Sequence, residues 1–354
     1  MGNFDKMFAA VKTKTKKDAN TAVFRPGDIN IKSYIPWGLR TGVPELDFNM
    51  GKPGWPAGRV VELYGFEHCG KTTLGYHAIA EAQRMGGAAW FLDTEKSWDE
   101  LRAMDCGVDT DDRLGIGDPD SVDACFRQIQ YILEARKEDN DGKPLVIVVD
   151  SVTGAATEGM QKKEIGETEK IAQDAKAIRG AIRRIQPDIA GLNVNLFMIN
   201  HATANITANK YAKQSDSSGG HAIKLASTVR CSMKHGGWIK EDNATDQRRL
   251  GQKISMQVEK LKGSQLDYPE VKDTPLLNTC GFDTQESLLR AGIKSGWVGH
   301  KPNAKTYTFY DEEFSRPDWE ALVLSRGGID KAYHEWIAWC IEEGCMTKWG
   351  RGLS

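Results

Sequence analysis

Gly65-Phe66-Glu67-His68-Cys69-Gly70-Lys71-Thr72-Thr73 decides how this chain folds. The stretch fits the pattern GxxxxGK[ST], and its flanks agree with it: Val60 to Tyr64 reads as an apolar strand, and Thr72 to Met85 as a helix closed by Gly86-Gly87. Four fixed positions match by chance in roughly one such chain in a hundred, so the strand before and the helix after carry as much weight as the letters. Glycines let backbone N–H groups curl round phosphates, and the helix N-terminus adds partial positive charge. Lys71 is placed to reach the β- and γ-phosphates, and the Thr72 hydroxyl to ligate Mg²⁺. Gly65, Glu67, His68, Cys69, Gly70, Lys71, Thr72 and Thr73 are therefore the expected nucleotide-binding residues, with ATP and Mg²⁺ as the expected ligands.

Further strands are expected at Ala88 to Leu92, Leu145 to Val149, Val194 to Ile199, Thr228 to Met233 and Ile254 to Leu261. Helices are expected at Ser97 to Met104, Val122 to Lys137 and Thr168 to Ile189, and another near Ile329 to Glu343. Strands alternating with helices imply an α/β core with a mostly parallel central sheet covered on both faces. Chemistry in such a sheet gathers at the carboxyl ends of the strands. Asp150 ends the apolar run Leu145-Val146-Ile147-Val148-Val149, which suits a carboxylate brought to Mg²⁺ beside Thr72. Asp93 and Glu95, just past the strand that follows the phosphate-loop helix, compete for the role of orienting and deprotonating a water. His201 follows Leu196-Phe197-Met198-Ile199-Asn200 and reaches the same edge, where a donor senses the γ-phosphate, although a lone His is more often structural. The polar segment Ala202 to Ser218 is too long for an ordinary connection and reads as functional or disordered. Thr15-Lys16-Lys17-Asp18 has the letters of a guanine-reading TKxD, but it precedes the phosphate loop instead of following it, which argues against GTP.

The 354 residues suffice for one large domain with smaller attachments. No run of apolar residues is long enough to span a bilayer, and the first residues lack the layout of a secretory signal, so a cytoplasmic location is expected. Seven scattered cysteines without CxxC spacing point to neither a disulfide framework nor a zinc site, and the apolar neighbours of Cys340 and Cys345 make both core residues. A net charge of −2 excludes a wholly basic nucleic-acid protein, yet basic patches recur in residues 1–25 and at Lys176, Arg179, Arg183 and Arg184 on an expected helix. Phe4, Met7, Phe8 and Val11 are spaced as on a short helix, followed by a Lys/Thr-rich linker.

Taken in order, these elements resemble the RecA family of strand-exchange ATPases, in particular phage recombinases of the UvsX kind. The resemblance runs from about Leu39 to Gly263. It is carried by Arg40 to Asp47, Gly58 to Gly65 running into the phosphate loop, Phe91 to Asp99, Val146 to Val152, Glu164 to Glu167 and Ser218 to Lys224. It implies a core that polymerises as a helical filament on single-stranded DNA and pairs it with double-stranded DNA, with ATP at the subunit interface. A single-stranded-DNA-binding protein or loading mediator is implied as an accessory partner, and a bacterium or phage-infected cell as the setting.

By motif position Glu95 matches the family's catalytic glutamate and Asp99 an adenine-side contact. Arg102 stands where bacterial members have an aromatic residue over the base. His201 replaces a glutamine and matches a UvsX-like pattern. Lys260 and Lys262 match the pair that reaches the neighbouring subunit's ATP, and otherwise read as solvated strand lysines. Two loops are implied to face DNA, around 162–170 and 202–220, with Lys162, Lys163, Lys170, Lys176, Arg179, Asn205, Lys210, Ser218, Gly219 and Gly220 as expected contacts. The implied organisation is residues 1–35 as a docking helix and linker, 36–278 as the ATPase core and 279–354 as a small lobe. The last residues are not the acidic tail of bacterial members. A RecA-fold hexameric helicase, and a recombination mediator that binds ATP and DNA without exchanging strands, are the competing readings.

Overall fold

A computed structural model of the chain describes residues 3–15, 35–152, 171–204, 215–217, 221–241, 248–262, 269–302 and 304–349. The elements in order are α1 (Asn3–Thr15), β1 (Gly38–Leu39), α2 (Pro44–Met50), β2 (Trp55–Pro56), β3 (Val60–Gly65), α3 (Lys71–Arg84), β4 (Ala88–Asp93), α4 (Glu100–Asp105), β5 (Leu114–Gly117), α5 (Val122–Glu138) and β6 (Leu145–Asp150). Then come α6 (Ile171–Gly191), β7 (Val194–Ala204), β8 (Ser215–Ser217), α7 (His221–Ala226), β9 (Val229–Lys240), β10 (Arg249–Leu261), β11 (Val271–Leu277) and β12 (Gly281–Phe282). The chain closes with α8 (Thr284–Ser295), a small sheet of β13 (Gly299–His300), β14 (Thr306–Phe309) and β15 (Glu312–Ser315), α9 (Trp319–Ser325) and α10 (Ile329–Glu342).

The main sheet runs β12-β11-β10-β9-β3-β7-β6-β4-β5. From β9 to β5 every pairing is parallel. Its strands are continuous apolar runs because both faces are covered. In β6, Val146 and Val148 enter the cluster packed under α3, while Leu145, Ile147 and Val149 enter the cluster packed against α5 and α6. Truncating one of these, such as Val148→Ala, removes packing that costs about 1–3 kcal/mol to lose.

The mostly parallel sheet expected from the sequence is observed, and it continues on one side as antiparallel strands. β9 and β10 form a long antiparallel hairpin, and β11 and β12 extend it antiparallel. Among the described residues no helix separates these strands, and each pairs antiparallel with its predecessor. β5 and β11 had no expected counterpart: β5 is a four-residue strand carrying two glycines, and Lys272, Asp273 and Pro275 break the apolar pattern of β11.

Local signals fix the helix ends. The Ser121 hydroxyl accepts from Ala124 N at 3.1 Å to start α5, and Asp283 accepts from Glu286 N at 2.9 Å to start α8. In α6, Ile178, Ile182, Ile185 and Ile189 are buried at helical spacing, leaving Arg179, Arg183 and Arg184 exposed.

Leu288 to Met346 build a third hydrophobic cluster around Trp336 and Tyr333. It is fastened to the core by the Tyr333 hydroxyl, which donates to Asp47, and by Arg40, which bonds Glu81 at 2.6 Å and Asp330 at 2.9 Å. Beyond α10 the chain returns to the core: Trp349 is buried there, and its indole N–H donates to Gly54 O at 3.1 Å. Cys340 lies in the core as expected, but Cys345 is exposed, because it falls in the turn after α10 and not on that helix.

Candidate nucleotide site

Parallel register assembles the site. Gly65 at the end of β3 lies abreast of His201 on β7, and Asp93 on β4 abreast of Asp150 on β6. Strand-terminal residues far apart in sequence thereby meet at one edge, above the N-terminus of α3.

Gly70 is the N-cap of α3 at φ 80, a left-handed conformation that favours glycine, and an added side chain would crowd Leu276 and Phe282. This turn aims the first N–H groups of α3 outward. The Lys71 ammonium donates to Phe66 O at 2.7 Å and Gly65 O at 3.1 Å, so the lysine is held within its own loop. The Thr72 hydroxyl donates to Asp150 Oδ2 at 2.6 Å. These two oxygens are the donor set expected for Mg²⁺, and the structure brings them together.

Burial, together with the Glu95 and Asp93 carboxylates nearby, pushes the Asp150 carboxyl up to about 6, against the lowering effect of Thr72 and Lys71.

The two acids that competed in the sequence have different surroundings. Asp93 is buried and committed: its oxygens accept from Ser97 N at 3.0 Å and Trp98 N at 2.8 Å. Glu95 points instead to His201 Nε2, at 2.6 Å, and accepts from the Ser151 hydroxyl. Burial pushes Glu95 upward, but these hydrogen bonds and the Lys71 charge outweigh it and hold the carboxyl below the usual glutamate value. An ionised carboxylate only accepts, so the contact requires His201 Nε2 to carry the proton. His77 shows the structural alternative for a histidine: fully buried and pushed down to about 3, it accepts from Phe282 N at 2.9 Å.

A cavity of about 470 Å³ opens from the loop, a size that suits a nucleotide. His68, Cys69, Gly70, Lys71, Thr72, Thr73 and Arg102 line it. Gly65 lies beneath the loop, Glu67 is exposed on its outer turn, and neither lines the cavity. Asp99 does not line it either: its carboxylate caps α4, accepting from Arg102 N at 3.0 Å. The Arg102 guanidinium donates to Leu277 O and Asn278 O, both at 2.8 Å.

Trp238, Gly251, Gln252, Leu276 and Asn278 complete the wall, and no local motif marks them. They arrive only because β9, β10 and β11 fold back in succession beside β3. Ser151 was also missed, although its place directly after Asp150 was a usable signal.

Lys260 and Lys262 lie away from this cavity. Lys260 pairs with Arg230, which pairs with Glu62, three residues before Gly65 on β3, a setback of about 10 Å along the strand. The Lys260 ammonium donates to Lys224 O at 2.5 Å and Lys262 to Leu225 O at 3.3 Å, at the end of α7. Burial and the neighbouring Lys262 and Arg230 charges push Lys260 down.

A buried network ties this region to the site. Glu62 is shared by Asn200, at 3.1 Å, and Arg230, at 2.5 Å; Arg230 also contacts Asp216 and Ser217 on β8. A charged residue inside the apolar run of β3 was its one sequence signal.

Of the expected DNA contacts, Arg179 is exposed on α6 and Lys176 lies on the same helix. Lys162, Lys163, Lys170, Asn205, Lys210, Ser218, Gly219 and Gly220 lie outside the described residues.

The chain matches the RecA N-terminal domain family over residues 6–269. It is 30% identical over 254 residues to Protein RecA of Campylobacter jejuni subsp. doylei, covering 72% of this chain and 70% of the relative. It is 29% identical over 289 residues to Protein RecA of Zymomonas mobilis, covering 76% of each. Protein RecA of Allochromatium vinosum is 30% identical over 299 residues, covering 84% of this chain and 81% of the relative. With a parallel sheet whose strand ends converge on a phosphate loop, and a family match across most of its length, the chain belongs to the RecA family.

Proposed function

We propose that this protein is a DNA-dependent ATPase of the UvsX kind that assembles as a helical filament on single-stranded DNA, pairs it with homologous double-stranded DNA and exchanges strands. The observation that carries the reading is the 2.6 Å contact between Glu95 and His201. Glu95 is the acid poised to take a proton from water as the water oxygen attacks the γ-phosphorus and the bond to the β-phosphate oxygen breaks. His201 sits on β7 just before segment 205–214, so the group that meets the base is continuous with the segment proposed to face DNA.

Lys71 and the N-terminus of α3 hold the phosphates, and Thr72 with Asp150 holds Mg²⁺, which when bound neutralises phosphate charge. Lys260 and Lys262, set back from their own loop, are proposed to complete the site of an adjoining copy and so make hydrolysis depend on assembly. Residues 1–35 are proposed to dock on a neighbour, 36–278 to form the ATPase core and 279–354 an accessory lobe. Arg179 and the two loop segments around 162–170 and 202–220 are the proposed DNA contacts.

Negative-stain imaging with ATP, with and without single-stranded DNA, alongside an ATPase assay, tests this. Filaments and DNA-stimulated turnover are expected. Closed rings with directional unwinding, or nucleotide binding with neither stimulation nor exchange, would overturn it in favour of a helicase or a mediator.

A further inference from the structure

Two donors approach the Glu95 carboxylate, and both meet the same oxygen. Oε1 accepts from the Ser151 hydroxyl and from His201 Nε2, whereas among the described residues no side chain donates to Oε2. The donors differ in kind. His201 is about one-third exposed, lies on β7 just before segment 205–214, and donates only from a nitrogen that carries a proton. Ser151 is fully buried, and a hydroxyl keeps its proton throughout the working range of pH.

The serine is also fixed through its backbone. The Thr94 hydroxyl, one residue before Glu95, donates to Ser151 O at 2.6 Å, and Thr94 N donates to Asp150 O at 2.8 Å. On the other side Val152 N donates to Ile199 O at 3.0 Å on β7. The end of β6 is thus stitched to β4, which leads into Glu95, and to β7, which carries His201. Glutamate needs such an anchor: its terminal torsion is broad, so a free carboxylate presents neither oxygen in one place. A base must lie within about 2.6–3.2 Å of the atom whose proton it takes.

We propose that Ser151 is the positioning residue of the catalytic base: its hydroxyl fixes Glu95 Oε1 and leaves Oε2 to face the attacking water. As the water oxygen bonds to the γ-phosphorus, the bond to the β-phosphate oxygen breaks and its electron pair leaves on ADP. The water proton passes to Oε2 while Oε1 stays bonded to Ser151. Because His201 shares Oε1, the serine keeps the base in register when the imidazole turns toward phosphate. The assignment rests on Glu95 being the base proposed above.

Steady-state kinetics of DNA-stimulated ATP hydrolysis by the full chain, with equilibrium ADP binding, test it. Ser151→Ala should lower kcat about tenfold to a hundredfold, with KM and ADP affinity within about twofold. Ser151→Thr keeps the hydroxyl, and a small apolar cavity bordered by Ser151, Phe126 and Met198 gives its methyl somewhere to go, so most of kcat should return. In a Glu95→Gln background, Ser151→Ala should add no further loss, because the serine acts only through the carboxylate. A packing role would instead cost the same factor in both backgrounds. Native kcat in Ser151→Ala, an equal loss in a Ser151→Thr that still binds ADP, or multiplying losses with Glu95→Gln overturns the assignment. If Ser151→Thr loses ADP binding through overpacking, the comparison of the two backgrounds decides. Native turnover in Glu95→Gln means that the base itself is wrong; a slow Glu95→Gln beside a native Ser151→Ala means that the serine alone is.

Discussion

The two ends of α3 carry charged clusters of opposite character. At the N-terminus Lys71 and Thr72 face Asp150, with Asp93 and Glu95 close by, so carboxylates outnumber cations and Asp150 is pushed up to about 6. At the C-terminus Glu81 is bonded by Arg40 at 2.6 Å and by Arg84 at 2.7 Å, and both arginines also approach Asp330. Burial alone would lower Arg40, but Glu81, Tyr333 and Asp330 more than offset it and raise its pKa overall. The matched cluster holds two parts of the molecule together; the mismatched one is where ATP and Mg²⁺ are proposed to bind. One helix thus serves as a binding element at one end and a fastening at the other.

The strongest way to break the comparison is at the ligand end. Glu95→Gln should reduce DNA-stimulated ATP turnover by about 10²–10⁴-fold while leaving ADP affinity within about twofold, as read by steady-state kinetics and equilibrium binding. Native turnover would remove Glu95 as the base.

At the fastening end, Arg40→Ala should cost about 1.5–3 kcal/mol of folding stability in denaturant melts, because the buried Glu81 loses one of its two arginine partners. Nucleotide affinity measured below the transition should stay unchanged. A loss under 1 kcal/mol would show the cluster to be incidental.

Lys260→Ala sharpens the contrast from outside the helix. If this lysine serves an adjoining copy, turnover should fall about tenfold or more in assembled protein, with ADP binding to the dilute chain untouched. Mixing it with Glu95→Gln should restore turnover at interfaces that pair the two intact residues.

The smallest effect concerns pH. Burial pushes Asp47 up to about 8, partly offset by the Tyr333 hydroxyl. The folded state therefore holds this proton where the unfolded chain releases it. The resulting stabilisation is full below about pH 4 and is lost as pH rises toward and through 8. Asp47→Asn should flatten that slope in thermal melts taken from pH 5 to 9; a slope equal to the native one would assign it elsewhere.

These clusters also mark how far the residues spoke for themselves. The phosphate loop, the apolar strands and the acids at their ends were legible because each is a local pattern: a glycine turn, an unbroken buried run, a carboxylate where the run stops. The antiparallel half of the sheet was less so. Its strands were visible, but whether a strand crosses over or folds straight back depends on the connection, and that between β9 and β10 carries no helical pattern to read.

The residues alone specify what a contiguous stretch of backbone forms: a phosphate-loop turn, a helix that begins there, and the run of strands beside it. Tertiary structure alone decided which side chains meet. Only the parallel register sets His201 against Glu95, only the hairpin brings Trp238 and Gln252 to the cavity, and only the return of α10 joins Asp330 to Arg40 across 290 residues. The reason is physical: a backbone turn is fixed by its own residues, whereas a contact between distant side chains exists only once the intervening sheet has set their spacing.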